Sequence, residues 1–137
     1  KFRGDVIMVN GFSENWQKLY HQHFSGKLPV PIPLSKERLY ERGFNQAAEL
    51  ARLLPVAPHE VLKRVVHEQK QSKKSRTERL RLEAPVFRFI GDPSVIRGRE
   101  IVLIDDIYTT GATVRRAAKV LLENGAASVC SMTVARG

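Results

Sequence analysis

The sequence predicts an α/β domain in which a parallel sheet is flanked by helices, and three features predict it. Apolar runs of strand length alternate with helical stripes along the chain. The last third reads strand, helix, strand in direct succession: Glu100 to Ile104, Thr113 to Glu123, Ser128 to Ala135. That order calls for a crossover between parallel strands, right-handed in nearly all such units. The 137 residues suffice for one such domain, spanning residues 1–137, and are too few for two.

Taken in order, Ser13 to Phe24 reads as a helix, capped by Ser13 and carrying Trp16, Leu19, Tyr20 and Phe24 on its inward stripe. Leu28 to Ile32 is a strand closed by Pro31 and Pro33, and Pro33 to Arg42 follows as a turn. Asn45 caps a second helix running to Leu54, with Phe44, Ala47, Ala48, Ala51 and Leu54 on one face, and Pro55 and Pro58 stop it. Val61 to Val66 is a strand, and a weaker one lies at Phe87 to Ile90. Between them, His67 to Arg81 is polar and without period. Ser75 and Glu78 could form a capping box there, and the rest is expected to be a mobile loop. Glu100 to Ile104 is a buried strand. The helix after it turns Val114, Ala117, Ala118, Leu121 and Leu122 inward and ends with Gly125 at C′.

The segment with chemistry in it is Ile101-Val102-Leu103-Ile104-Asp105-Asp106-Ile107-Tyr108-Thr109-Thr110-Gly111-Ala112-Thr113. Four apolar residues bury a strand, and two carboxylates follow at its C-terminal end, where open α/β sheets bind ligands. A loop of Thr and Gly then leads into a helix N-terminus. Backbone N–H groups of Thr109 to Thr113 can converge on an anion there, helped by the positive end of the helix and the threonine hydroxyls. Asp105 and Asp106 are suited to accept hydrogen bonds from vicinal sugar hydroxyls. A ribose 5-phosphate satisfies both halves. Neither a dinucleotide fingerprint nor a Walker loop is present.

Lys and Arg number 23 against 14 Asp and Glu, a net charge of +9, and such a surface attracts phosphates of either small molecules or nucleic acids. The excess peaks between residues 63 and 81, where Lys63, Arg64, Lys70, Lys73, Lys74, Arg76, Arg79 and Arg81 face only Glu68 and Glu78. This tract is expected to follow a nucleic-acid backbone, to close as a lid, or only to keep a loop solvated. It holds no aromatic residue for stacking. It also lies apart in sequence from the sugar-phosphate segment, which predicts two separable surfaces. Cys130 is the single cysteine, in an apolar stretch that makes it a structural thiol. His21, His23, His59 and His67 lack metal-ligand spacing. The longest apolar runs are far too short to cross a bilayer, and no stretch pairs a basic flank with an apolar export segment. A cytoplasmic protein without membrane insertion is the expectation.

Over nearly the whole chain the sequence resembles the ComF (ComFC) family, bacterial competence-associated proteins with a type I phosphoribosyltransferase-like domain. The resemblance rests on Lys1-Phe2-Arg3-Gly4-Asp5, Val30-Pro31-Ile32-Pro33, Arg42-Gly43-Phe44-Asn45-Gln46-Ala47, Arg64, Gln71, Glu78-Arg79 and the segment from Ile101 to Thr113. It implies the type I phosphoribosyltransferase fold and a phosphoribosyl pyrophosphate site. In that site Asp105 and Asp106 hold the ribose, and Thr109, Thr110, Gly111, Ala112 and Thr113 hold the 5-phosphate. Ser35, Lys36, Arg38 and Arg42 hold the diphosphate, and Arg64, Gln71 and Arg79 belong to a flexible loop. Mg²⁺ is expected to arrive on the ligand, with no direct protein ligands. Members often begin with a four-cysteine zinc module, for which this segment has no ligands.

Purine-salvage enzymes of the fold carry an acid where this chain has Thr109, which cannot act as an acceptor base. No catalytic residue is assigned. The favoured expectation is a protein that binds phosphoribosyl pyrophosphate and single-stranded DNA in DNA uptake, with a helicase or recombination mediator as partner. An active phosphoribosyltransferase on a nucleobase or amine, and a non-catalytic metabolite sensor, are the alternatives.

Overall fold

Four consecutive apolar residues can be covered on both sides only inside a layered sheet, and Ile101 to Ile104 occupy that position. The computed structural model describes residues 5–65 and 85–137, with side chains from Phe12 onward. The elements run α1 (Asp5–His23), β1 (Leu28–Pro31), α2 (Lys36–Arg42), α3 (Gln46–Arg52), β2 (Leu62–Arg64), β3 (Phe87–Phe89), a single 3₁₀ turn at Pro93–Val95, β4 (Glu100–Tyr108), α4 (Ala112–Glu123) and β5 (Ser128–Arg136). Among the described residues β1, β4 and β5 form a parallel sheet with β4 in the centre, in register Leu28 to Ile101 and Ile101 to Val129. β2 and β3 make a separate antiparallel pair.

Strand alternation sorts the β4 side chains into two cores. Ile101 and Leu103 pack with Leu28, Val30, Phe87, Ala117 and Leu121, under α4 and the β2–β3 pair. Val102 and Ile104 pack with Met132, Trp16, Tyr20, Ala51 and Leu54, under α1 and α3. All four are fully buried, each worth roughly 1.5–3 kcal/mol relative to exposure. Polar tips in the second core are satisfied: Trp16 Nε1 donates to the Leu50 carbonyl at 3.0 Å and the Tyr20 hydroxyl to the Lys27 carbonyl at 2.7 Å.

The sequence reading departs from the fold in five places. α1 begins at Asp5, so Ser13 is interior and not a cap. Gly11 interrupts the apolar stripe, but its cost of about 1 kcal/mol is small beside the packing of Trp16 and Tyr20. Pro33 to Arg42 is not only a turn, because α2 forms within it. α3 ends at Arg52, two residues short of the expected end. β4 continues through the carboxylates to Tyr108, paired with β5 as far as Arg136, so Asp105 and Asp106 lie within the strand. Leu19, Phe44 and Leu122, assigned inward, are 37%, 41% and 49% exposed. The expected loop at His67 to Arg81 lies outside the described residues. No helix among the described residues is long and apolar enough to cross a membrane.

Candidate functional site

The run Arg42-Gly43-Phe44-Asn45-Gln46 is a joint between two short helices. Ser35 opens α2 by accepting the Arg38 N–H on its Oγ at 3.3 Å, and Gly43 closes it in the left-handed conformation at φ 78°, which only glycine adopts freely. Asn45 then caps α3 through Oδ1, which accepts from the Ala47 N–H, while its Nδ2 donates to the Ile32 carbonyl at the end of β1. The joint is therefore tied to the sheet. Its product is the position of Arg42, whose Nη1 donates to Gln46 Oε1 at 2.8 Å and lies 3.9 Å from Asp106 Oδ2.

The two carboxylates meet different surroundings. Asp106 has Arg42 of α2 beside it. Asp105 is half-buried, accepts the Asp106 N–H at 2.9 Å, and has Arg64 of β2 in electrostatic range. Arg64 in turn lies within range of Arg38 and Arg116, and its guanidinium sits 5.6 Å from the centre of the buried Phe87 ring. Burial, then the neighbouring Arg38 and Arg116 charges, lower the Arg64 pKa. Arg42 of α2 and Arg64 of β2 thus flank an acidic pair on β4, with Arg38 and Arg116 in range of Arg64.

Burial pushes the Asp105 carboxyl up to about 6, with the Asp106 side chain and charge adding to the rise and its N–H and Arg64 opposing it. An ordinary unfolded-state aspartate ionises near 3.9. Between about pH 4 and pH 6 the folded chain therefore holds a proton that the unfolded chain has released. Stability is expected to fall as pH rises through that window. Asp105→Asn should flatten the dependence and be the more stable form above pH 6, read from urea midpoints across pH 4 to 7. Parallel profiles for parent and variant would refute this.

Beyond the carboxylates the chain turns through Thr109 and Thr110, both exposed, to Gly111 at φ 77°. Thr110 Oγ1 accepts the Ala112 N–H at 3.3 Å. Gly111 brings no side-chain cap, so the first turn of α4, with Thr113, presents its backbone donors to the loop. A Cβ at Gly111 would overlap the Tyr108 hydroxyl and come within 2.9 Å of Arg115 Nη1. Tyr108 and Arg115 therefore crowd this loop, and the sequence reading assigned neither.

Of the diphosphate residues, Ser35 caps α2, Arg42 lies 3.9 Å from Asp106, and Arg38 lies in electrostatic range of Arg64. Lys36 lines a cleft of about 210 Å³ with Lys63, Arg64, Val65 and Arg88. Arg88 and Arg116 are cations that only the fold brings near. Gln71, Lys70, Lys73, Lys74, Arg76, Arg79 and Arg81 lie outside the described residues. No group of three or more His, Cys, Asp or Glu suited to a metal occurs among the described residues. Cys130 is half-buried, its Sγ donates to the Ile101 carbonyl at 3.4 Å, and burial raises its pKa, which fits a structural thiol.

Residues 39–137 match the family described as phosphoribosyl transferase domain. The chain is 48% identical over 139 residues to competence protein ComFC of Bacillus subtilis, covering 99% of this chain and 56% of that protein. To DNA utilization protein YhgH of Escherichia coli K12 it is 35% identical over 112 residues, covering 73% of this chain and 45% of that protein. The chain thus spans about half the length of these relatives. A solved structure described as the allosteric regulatory enzyme of purine biosynthesis shares the fold at a TM-score of 0.56 and 19% identity, covering 88% of this chain and 25% of the other.

Proposed function

Because the chain belongs to the ComFC competence-protein family and carries its phosphoribosyltransferase domain, we propose that it binds phosphoribosyl pyrophosphate with Mg²⁺ and single-stranded DNA, in the cytoplasm, in the uptake and use of DNA. One observation carries the metabolite half. Asp105 and Asp106 on β4 lead through Thr109 to Thr113 into the N-terminus of α4, and Arg42 of α2 and Arg64 of β2 approach the same pair from two other elements. Hydroxyl acceptors, an anion loop and a cationic wall are the three parts a phosphorylated sugar diphosphate needs. Mg²⁺ bound to the diphosphate would neutralise its charge. The hard oxygens of Asp105 and Asp106 fit such an ion's hydration water. The DNA half rests on the basic surface, with Lys63 and Arg64 the described members of its densest tract, and on the names of the relatives. A DNA-uptake helicase or recombination mediator is the partner this reading favours.

Phosphoribosyl pyrophosphate with Mg²⁺, at about 100 times its Kd, should stabilise the fold by about 2.7 kcal/mol, roughly 8–12 °C in a domain of this size. Mg²⁺ alone should give no shift. The absence of any shift with the complete ligand would remove the metabolite reading. A parallel screen with labelled phosphoribosyl pyrophosphate and a panel of nucleobases and amines should show no transfer to purines, since Thr109 offers no base for the purine N7. Turnover there would make the protein an active transferase.

A further inference from the structure

α2 has seven residues and buries none of them, so its side chains are not there for the core. Helical spacing divides their work. Arg38 and Arg42, four apart, share the face that brings Arg42 to Asp106 and Arg38 into range of Arg64. Leu39 lines a groove of mixed polarity with Leu34, Phe44 and Ala48 and with Glu49, Arg52 and Glu60. Lys36 and Tyr40, four residues apart, share what remains. Lys36 enters the cleft against the β2–β3 pair, and Tyr40 is 91% exposed with no hydrogen bond or ring contact among the described residues. Lys36, Lys63, Arg64 and Arg88 form no salt bridge among the described residues, and of them Arg64 has an acid, Asp105, in electrostatic range, so the cleft is cationic. An aromatic ring left in water beside such a cleft gains nothing from folding. It suits a ligand that carries phosphates and flat unpaired faces together.

We propose that this face of α2 and the adjoining cleft form a track for single-stranded nucleic acid, in which Lys36, Lys63 and Arg88 contact backbone phosphates and Tyr40 stacks an unpaired base. The inference rests on the DNA-binding reading above and gives it an address outside the 67–81 tract. Backbone cations with an interleaved aromatic are how sequence-tolerant single-strand binders work, because every base has a π-face. A duplex keeps its bases stacked internally and would leave Tyr40 unused.

Fluorescence anisotropy on the full chain tests this with a dT20 oligonucleotide, an abasic oligomer of equal length and a 20-base-pair duplex. Tyr40→Ala should weaken dT20 binding roughly 5- to 100-fold while leaving abasic binding and the salt slope unchanged. Tyr40→Trp should bind dT20 at least as tightly as the parent. Lys63→Ser and Arg88→Ser should each lower the salt slope by roughly one. Tyr40→Ala should melt at the parent temperature and keep the phosphoribosyl pyrophosphate shift, which excludes a folding effect. A parent that binds neither oligomer overturns the DNA reading and this inference with it. A parent that binds dT20 while Tyr40→Ala matches it, or loses equally on the abasic oligomer, overturns this inference alone. Preference for the duplex overturns the single-strand assignment.

Discussion

Replacing Asp105 and Asp106 together with alanine is expected to remove the whole thermal shift from phosphoribosyl pyrophosphate, roughly 10 °C in the parent, without unfolding the chain. In the proposed site the two acids would supply the hydroxyl acceptors on β4, and without them the remaining contacts would be cations and loop donors that serve any phosphate. Stability should survive for different reasons at each position. Asp105 is held against a burial penalty, so its removal relieves strain in the ionised state. Asp106 pairs with Arg42 at 3.9 Å across side chains 38% and 45% exposed, a pair worth no more than about 1 kcal/mol. The unliganded variant should therefore melt within a few degrees of the parent. An undiminished shift in that double variant, with melting intact, would remove the acidic pair from the site and leave the sugar assignment without support.

What could be read from the sequence follows contiguity. Ile101 to Thr113 places a buried strand, two acids, an anion loop and a helix start in thirteen successive residues, so local pattern alone locates them. Asn45 was legible for the same reason, since a cap acts on the N–H two residues later. α2 was not, because a helix that buries nothing leaves no apolar stripe. Only its ends, Ser35 and Gly43, announce it, through a side-chain cap and a left-handed stop. The start of α1 was masked by Gly11, whose local cost is overridden by packing with residues more than thirty positions away, such as Leu50 and Ala51. Arg88 could not be assigned from sequence at all, because it lies near none of the motifs, and Arg116, three residues past Thr113, acquires its place beside Arg64 only in the fold. Tyr40 had a different fate. Its type was visible, but its exposure is a property of the fold, and the aromatic missing from the basic tract is supplied from α2.

Phosphoribosyl pyrophosphate should displace single-stranded DNA, by up to about 100-fold in apparent Kd at 100 times the ligand's own Kd, if the two exclude each other fully. Sequence separation of the basic tract from the acidic segment argues for independent surfaces, and the fold argues the reverse. Arg64, the described residue that belongs to both the tract and the flexible-loop set, lies in electrostatic range of Asp105 and of Arg38. The same residue lines the cleft with Lys36, a diphosphate residue, and with Lys63 of the tract. A diphosphate that engages Arg64 and Lys36 would take Lys36 from the nucleic-acid track and add negative charge beside Lys63 and Arg88. Linkage makes the effect reciprocal, so dT20 at about 100 times its own Kd should weaken phosphoribosyl pyrophosphate by the same factor. Anisotropy of labelled dT20 titrated with the ligand at constant ionic strength reads the effect, with ribose 5-phosphate as a control that should displace far less because it lacks the diphosphate. Arg64→Ser should weaken both ligands and shrink the coupling between them. Unchanged dT20 affinity at saturating phosphoribosyl pyrophosphate would mean that the DNA track avoids Arg64 and that the two surfaces are separate after all.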